Sequence, residues 1–533
     1  MTRTLSYSDV RAQLLARHEI ALLDVREEDP FAQEHPLWAA NLPVSRIELE
    51  AWRRIPRRDT LVVLYGTHAG RDLAPLAADR LQALGYSQTH LLAGGLDGWR
   101  AAGGELFRDV NVPSKSFGEL VEHQRHTPSF SAQEVRALID AKADLVVLDA
   151  RRFDEYQTMS IPGATSVPGA ELVLRARELA PDAKTQIIVN CAGRTRSIIG
   201  TQSLLNAGLP NPVAALRNGT IGWKLAGQQL EHGAQRQAPA ASAAHQASAQ
   251  VEARAVAEKA GVRWIAYEAL ASLDAPDRSS YRFDVRTPEE YAAGHLPRFA
   301  SAPGGQLVQE TDHHVPVRGA RIVLADDDGV RAPMSASWLA QMGWEVYVLA
   351  AAPAAAYSER GSAPALHAAP PELPEISPSR LAQWQAESPS SVAVIDLTSS
   401  ANHVKKHIPG AWFAIRAQLA QALQRIPAAP HYVLTCGSSL LARFAAPDLR
   451  ALLAARGDTA DIHVLAGGNA AWFAAGLPSE AGEHRLAVPR SDRYRRPYEG
   501  TDAPAEAMQA YLDWEFGLVA QLERDGTHHF KVI

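Results

Sequence analysis

One pattern of residues recurs four times along the 533-residue chain, and that repetition restricts the fold more than any other feature of the sequence. In each copy an apolar run ends in Asp-x-Arg or a variant of it. A second apolar run stops at a short polar loop that leads into a helical stretch. A third short run follows, and in three copies it closes on a Gly-x-x-x-Trp turn. The first copy reads Ala21-Leu-Leu-Asp-Val-Arg26, Leu61-Val-Val-Leu-Tyr-Gly66 and His90-Leu-Leu-Ala-Gly-Gly-Leu-Asp-Gly-Trp99. The second reads Leu145-Val-Val-Leu-Asp-Ala-Arg151, Ile187-Ile-Val-Asn-Cys191 and Arg217-Asn-Gly-Thr-Ile-Gly-Trp223. The third has Tyr281-Arg-Phe-Asp-Val-Arg286, Ile322-Val-Leu-Ala-Asp326 and Val346-Tyr-Val-Leu349, without the Trp turn. The fourth has Val392-Ala-Val-Ile-Asp-Leu397, Tyr432-Val-Leu-Thr-Cys436 and His463-Val-Leu-Ala-Gly-Gly-Asn-Ala-Ala-Trp472.

Short apolar runs rich in β-branched residues read as buried strands. Helical patterns at 72–84, 197–207, 334–342 and 442–455 lie between them, with Gly85, Gly208, Gly343 and Gly457 as stops. Strands alternating with helices predict an α/β class, each repeat a small parallel sheet flanked by helices. The expected repeats are 1–107, 125–233, 259–351 and 373–482, followed by a tail, 483–533, with a helix over 505–522. The Ala/Gln/Ser-rich segment 234–258 reads as a flexible linker and the Ala/Pro-rich segment 352–372 as a stiffer one. Repeats one and two are expected to pair, and three with four.

Composition narrows the function. Lys and Arg number 53 against 59 Asp and Glu, a net charge of −6, which gives no basic face for nucleic acid. Hydrophobic residues at 46% and charged residues at 21% suit a folded soluble chain. No run of about 18 apolar residues predicts a membrane span. The polar start Met1-Thr-Arg-Thr-Leu-Ser lacks a signal-peptide pattern, so a cytoplasmic location is expected. Two cysteines, Cys191 and Cys436, are too few for a disulfide framework or a Cys-rich zinc site. The pairs His313-His314 and His528-His529 read as solvated loops, so no metal is expected. No P-loop occurs, and the Gly-Gly runs precede Trp turns instead of opening a nucleotide unit, so no cofactor is expected either.

Aligning the repeats on their central strands places Gly66, Cys191, Asp326 and Cys436 at one position, where a strand ends and a helix begins. Ligands of parallel sheets bind at that end. In Cys191-Ala192-Gly193-Arg194-Thr195-Arg196 the thiol precedes a helix N-terminus, Gly193 lets the backbone curl, and two arginines add positive charge. Such a loop favours a thiolate and can cradle an anion. Cys191 is therefore the predicted nucleophile, with 192–196 as the substrate cradle. Cys436 is a second candidate thiol, read as structural because Leu441 stands where the second repeat has Arg196.

These residues resemble the rhodanese family of sulfurtransferases. The likeness rests on Asp149-Ala-Arg151, Ile161-Pro-Gly-Ala164, the loop from Cys191 to Arg196 and Asn218-Gly-Thr-Ile-Gly-Trp223. Asp24-Val-Arg26, Tyr291-Ala-Ala-Gly-His-Leu-Pro297 and His407-Ile-Pro-Gly-Ala411 extend it to the other repeats. The arrangement resembles multidomain proteins with four such domains. The resemblance implies that Cys191 takes sulfur from a donor such as thiosulfate, becomes a persulfide, and passes the sulfur to cyanide, a thiol or a protein acceptor. Repeats without the thiol would serve as scaffold. A homodimer is a further expectation. Two other readings stand beside it. One is a non-catalytic scaffold or sulfur-relay protein. The other is a cysteine phosphatase or arsenate reductase, whose Cys-x5-Arg loop is one residue longer than the Cys-x4-Arg here.

Overall fold

The computed structural model describes residues 3–500 and 502–533. Each repeat folds as its apolar runs dictate. In the second, the strands Leu145–Asp149 and Gln186–Asn190 lie at the centre of the sheet, where both faces are covered. The order across that sheet is Ser129–Phe130, Val213–Leu216, Gln186–Asn190, Leu145–Asp149, Thr165–Ser166, all parallel. The third and fourth repeats have the same order of five parallel strands. The first has it too, with a sixth strand added. That strand, Val317–Arg318, comes from the third repeat and lies antiparallel to Ile20–Asp24, Val317 opposite Ala21.

The repeated polar residues do repeated work. Arg26, Arg151 and Arg286 each fork onto the aspartate two residues before them, buried at the end of a strand. Each then reaches a carbonyl in the next segment, that of Glu34, Met159 or Gly294. In the fourth repeat Thr398 replaces the arginine, and His403 Nδ1 meets Asp396 at 2.8 Å instead. The turn tryptophans Trp99, Trp223 and Trp472 are buried, and each donates its indole N–H to a carbonyl six residues on.

The repeats are not arranged as the linkers suggested. The first and third share one hydrophobic core, with Trp38, Trp338 and Trp344 in it. Arg318 lies between the Trp38 and Trp344 rings, 3.5 and 4.2 Å from their centroids. The fourth repeat attaches to the first through Arg416 on Glu48 and Arg80 on Asp448. The second meets the third through the segment 234–258, which is no flexible linker. It carries most of the helix Ala243–Lys259, packed against Leu172–Leu179 and Arg331–Gln341. Alanine is the strongest helix former, and the buried Ala249, Ala253 and Ala257 let the neighbours approach closely. Segment 111–128, between the first two repeats, holds the largely buried helix Val112–Arg125. Segment 352–372 is irregular apart from a turn at Ala354–Ala356, and Ala368 N–H donates to the Glu48 carbonyl at 3.0 Å.

The tail forms two helices, Ala505–Phe516 and Leu518–Asp525, broken at Gly517. It packs on its own chain. Phe530 sits edge-on to Trp38 and Phe117, 5.8 and 5.2 Å between centroids. Of the histidine pairs, His313-His314 ends the short helix Thr311–His314, with His313 exposed, and His528-His529 lies half-buried in an irregular segment, His529 Nε2 3.2 Å from the Leu14 carbonyl.

Because Phe530 joins the tail to the shared core, Phe530→Ala should cost about 3 kcal/mol. A lowered melting temperature with unchanged secondary structure is the expected result in calorimetry and circular dichroism. An unchanged melting temperature would show that the tail end adds nothing to the core.

Candidate active site

Cys191 follows directly on the strand Gln186–Asn190, and the helix Thr195–Asn206 begins four residues later. The first N–H groups of that helix have no intrahelical acceptor. The loop carbonyls are held from the side: Thr220 N–H donates to Cys191 O at 2.9 Å and Ile221 N–H to Ala192 O at 3.0 Å. Gly219 makes this approach possible. Its φ is +53°, and a Cβ there would lie 2.3 Å from Cys191 O.

Cys191 is 1% exposed. Its thiol lies 3.4 Å from Ser197 Oγ, and the Ser197 hydroxyl donates to the Arg194 carbonyl at 2.8 Å. Arg196 forks onto Glu155 at 2.9 and 2.8 Å. That pairing holds the Glu155 carboxyl down at about 2, so the fork is fully charged at neutral pH. Burial pushes the Cys191 thiol above its ordinary range; Arg196 and Ser197 pull against burial, and Glu515 adds to the rise. The charged loop therefore does not lower the thiol in this state, as its sequence suggested, because dehydration outweighs the one nearby guanidinium.

The two arginines of the loop differ. Arg196 acts on the thiol. Arg194 is taken up by Glu119, Glu122 and the Asn218 side-chain oxygen, beneath the Phe516 ring at 4.2 Å. It anchors the loop to the helix Val112–Arg125. Thr195 packs there as well, its Cγ2 3.0 Å from where Gly118 would carry a Cβ.

The tail covers this loop. A Cβ on Gly193 would lie 3.1 Å from Tyr511 Cε1 and 3.4 Å from Glu515 Oε2. Glu515 is fully buried; Tyr511 donates to its Oε1 at 2.7 Å, and its Oε2 has no hydrogen-bond partner. Burial, with Glu119 nearby, pushes the Glu515 carboxyl up to about 8, against Lys115, Tyr511 and Arg194. Lys115 sits under Tyr498, Tyr511 and Trp514 at 5.0–5.5 Å and pairs with Asp109 at 2.7 Å. The tail aromatics pack on one another, Tyr511 against Tyr498 and Trp514. Nothing in the sequence connected Glu515 or Tyr511 with a loop some 320 residues earlier.

The other three positions differ physically. In the first repeat a small hairpin of Thr67–His68 and Arg71–Asp72 replaces the loop, and a Cβ on Gly66 would lie 2.5 Å from Val25 Cγ2. In the third, the Asp326 carboxyl accepts from Gly329 and Ala332 N–H at 3.2 and 2.8 Å, so the cradle holds its own side chain. Arg331 keeps the Arg196 role, pairing with Glu290 at 2.6 Å. In the fourth, Cys436 is buried and Ser439 takes a left-handed φ of 74°. Leu441 lines a cavity of about 370 Å³ shared with Arg46 and Arg54 of the first repeat. No helix among the described residues is long and apolar enough to cross a membrane.

The rhodanese-like domain matches at residues 8–102, 131–226, 266–352 and 377–475, well over half of the chain. The chain belongs to the rhodanese family. The crystal structure of a thiosulfate sulfurtransferase from Pseudomonas aeruginosa is 64% identical, covers all of both chains and superposes with a TM-score of 0.97. Curated relatives match over stretches about as long as one repeat. The HTH-type transcriptional regulator Rv0324 of Mycobacterium tuberculosis is 32% identical over 91 residues, 17% of this chain and 39% of that protein. The putative sulfur carrier protein YrkF of Bacillus subtilis is 28% identical over 102 residues, 19% of this chain and 54% of that protein. The chain thus spans only about half, or less, of the length of these two relatives.

Glu515 ties the tail to pH. Its folded value of about 8 lies above the ordinary carboxyl value of 4.5, so the docking it favours is complete below 4.5 and lost as pH rises through about 8. Hydrogen-exchange protection of 505–516, corrected for intrinsic rate, should fall as pH passes about 8. In Glu515→Gln that fall should disappear. The same fall in the variant would place the titrating group elsewhere.

Proposed function

We propose that the chain is a sulfurtransferase that carries sulfur as a persulfide on Cys191, between a small donor such as thiosulfate and a thiophilic acceptor. The observation that carries this reading is the Cys191 loop itself. It is a lone thiol at a helix N-terminus, with Arg196 and Ser197 beside it, in a chain alike over its full length to a thiosulfate sulfurtransferase.

The chemistry needs few groups. The Cys191 thiolate bonds to the outer sulfur of thiosulfate, the S–S bond of the donor breaks, and sulfite leaves with its electron pair. Cyanide or a thiolate then takes that outer sulfur and returns the Cys191 thiolate. Both steps pass through anions, which the N–H groups at the start of the helix Thr195–Asn206 and the Arg196 guanidinium would stabilise. Each half-reaction completes before the next, which predicts ping-pong kinetics. A protein thiol reaches Cys191 only when the Tyr511–Glu515 cover moves.

The phosphatase reading is weaker. Its arginine must fork onto the substrate, and here Arg196 forks onto Glu155. The scaffold reading keeps a place within the same molecule: the first and third repeats lack a thiol at this position and serve as support.

Cys191→Ala should lose thiosulfate-dependent thiocyanate formation and the mass gain of one sulfur atom. Cys436→Ala should keep both, with the rate within about twofold. Transfer that persists in Cys191→Ala, followed by intact-mass spectrometry and a cyanide assay, would falsify the assignment.

A further inference from the structure

The fourth repeat carries a group of side chains unrelated to either thiol. His431 begins the strand His431–Thr435, and Asp461 begins its parallel neighbour Asp461–Leu465. The register sets His431 opposite Asp461 and Val433 opposite His463. Alternate residues of a strand face the same side, so Asp461 and His463 share a face. One ligand atom from each of His431, Asp461 and His463 lies within 4.8 Å of the other two. His431 Nδ1 is 3.5 Å from Asp461 Oδ2.

Two features distinguish this trio from an ordinary surface cluster. His431 Nδ1 and His463 Nε2 are both closed off from water and have no hydrogen-bond partner. Buried ring nitrogens without partners are costly and rare. The rings are also held in place by the helix Pro378–Glu387. Its Trp384 stacks on His431 at 4.5 Å and 22°, and meets His463 edge-on at 5.3 Å. The Asp461 side chain is 71% exposed, which leaves the outer side open to solvent.

We infer that His431, His463 and Asp461 form a divalent transition-metal site, with water completing the coordination. Two imidazoles and one carboxylate suit zinc, cobalt, nickel or copper, and are a poor set for calcium or magnesium. A metal would supply the partner that both ring nitrogens lack. It would also pin the starts of two adjacent strands, at the end of the sheet opposite Cys436.

The test uses chelator-stripped full-length protein carrying Cys191→Ala and Cys436→Ala, so that thiols cannot bind. Calorimetric titration with zinc chloride should show one tight equivalent and a raised melting temperature. Cobalt chloride should give visible d–d bands from the same site. Asp461→Asn, at an exposed position where misfolding is no concern, should weaken zinc binding at least tenfold. His463→Gln should lose the equivalent and the bands, with its metal-free circular dichroism unchanged. Magnesium chloride should give no equivalent. Zinc binding of equal stoichiometry and affinity in Asp461→Asn and His463→Gln, or no binding by the parent protein, overturns the inference.

Discussion

A carboxylate buried at the end of a strand must find donors, and much of each repeat is arranged around that demand. Asp149 has Arg151 on both oxygens, with the Asn190 side chain donating to one of them at 2.8 Å. The arginine then holds the Met159 carbonyl, tying the strand to the segment that returns to the sheet edge. Removing one partner of such a pair strands a buried charge, which costs about 3–5 kcal/mol. The fourth repeat shows that the demand belongs to the carboxylate and not to arginine. There His403 and the Asn469 amide satisfy Asp396, and the fold is the same. With the strand end fixed, the adjacent loop has a rigid floor, and only then can a single sulfur be set at a helix N-terminus.

The sequence made the repeats, the sheet class and the position of Cys191 legible, because each rests on local pattern: apolar runs, turn glycines and the point where each central strand ends. What it did not make legible rests on contacts between distant residues. The Ala/Gln/Ser-rich composition reads as a low-complexity linker although alanine favours a helix, and the helix at 243–259 is held by Leu172–Leu179 and Arg331–Gln341 packing on either side. The partnership of the first and third repeats depends on Arg318 between two tryptophans, none of which carries a motif. The charge of the Cys191 loop could be read, but its burial could not, and burial decides the direction in which the thiol moves. The histidines of the fourth repeat escaped notice for a related reason. They lie on different strands, with no helical or short-loop spacing between them.

The four repeats also separate what a sheet needs from what a site needs. Every copy keeps its parallel strand order, so core packing tolerates the loss of the loop. The loop itself has three different fates: a hairpin, a carboxyl plug and a thiol with Leu441 where the second repeat has Arg196. The tail then closes over the one copy that keeps thiol and arginine together, so the helix Ala505–Phe516 and the second repeat form one unit.

The plug in the third repeat has a consequence of its own. Asp326 occupies, with its own carboxyl, the N–H groups that would otherwise grip an anion from solution. A tethered occupant never dilutes: its effective concentration is fixed by the chain, and for short flexible tethers is of millimolar order. A freely diffusing oxyanion must outcompete a neighbour that cannot leave. The third loop is thus a socket permanently filled by the molecule that built it. At the same position the second repeat carries Cys191 and no carboxyl of its own.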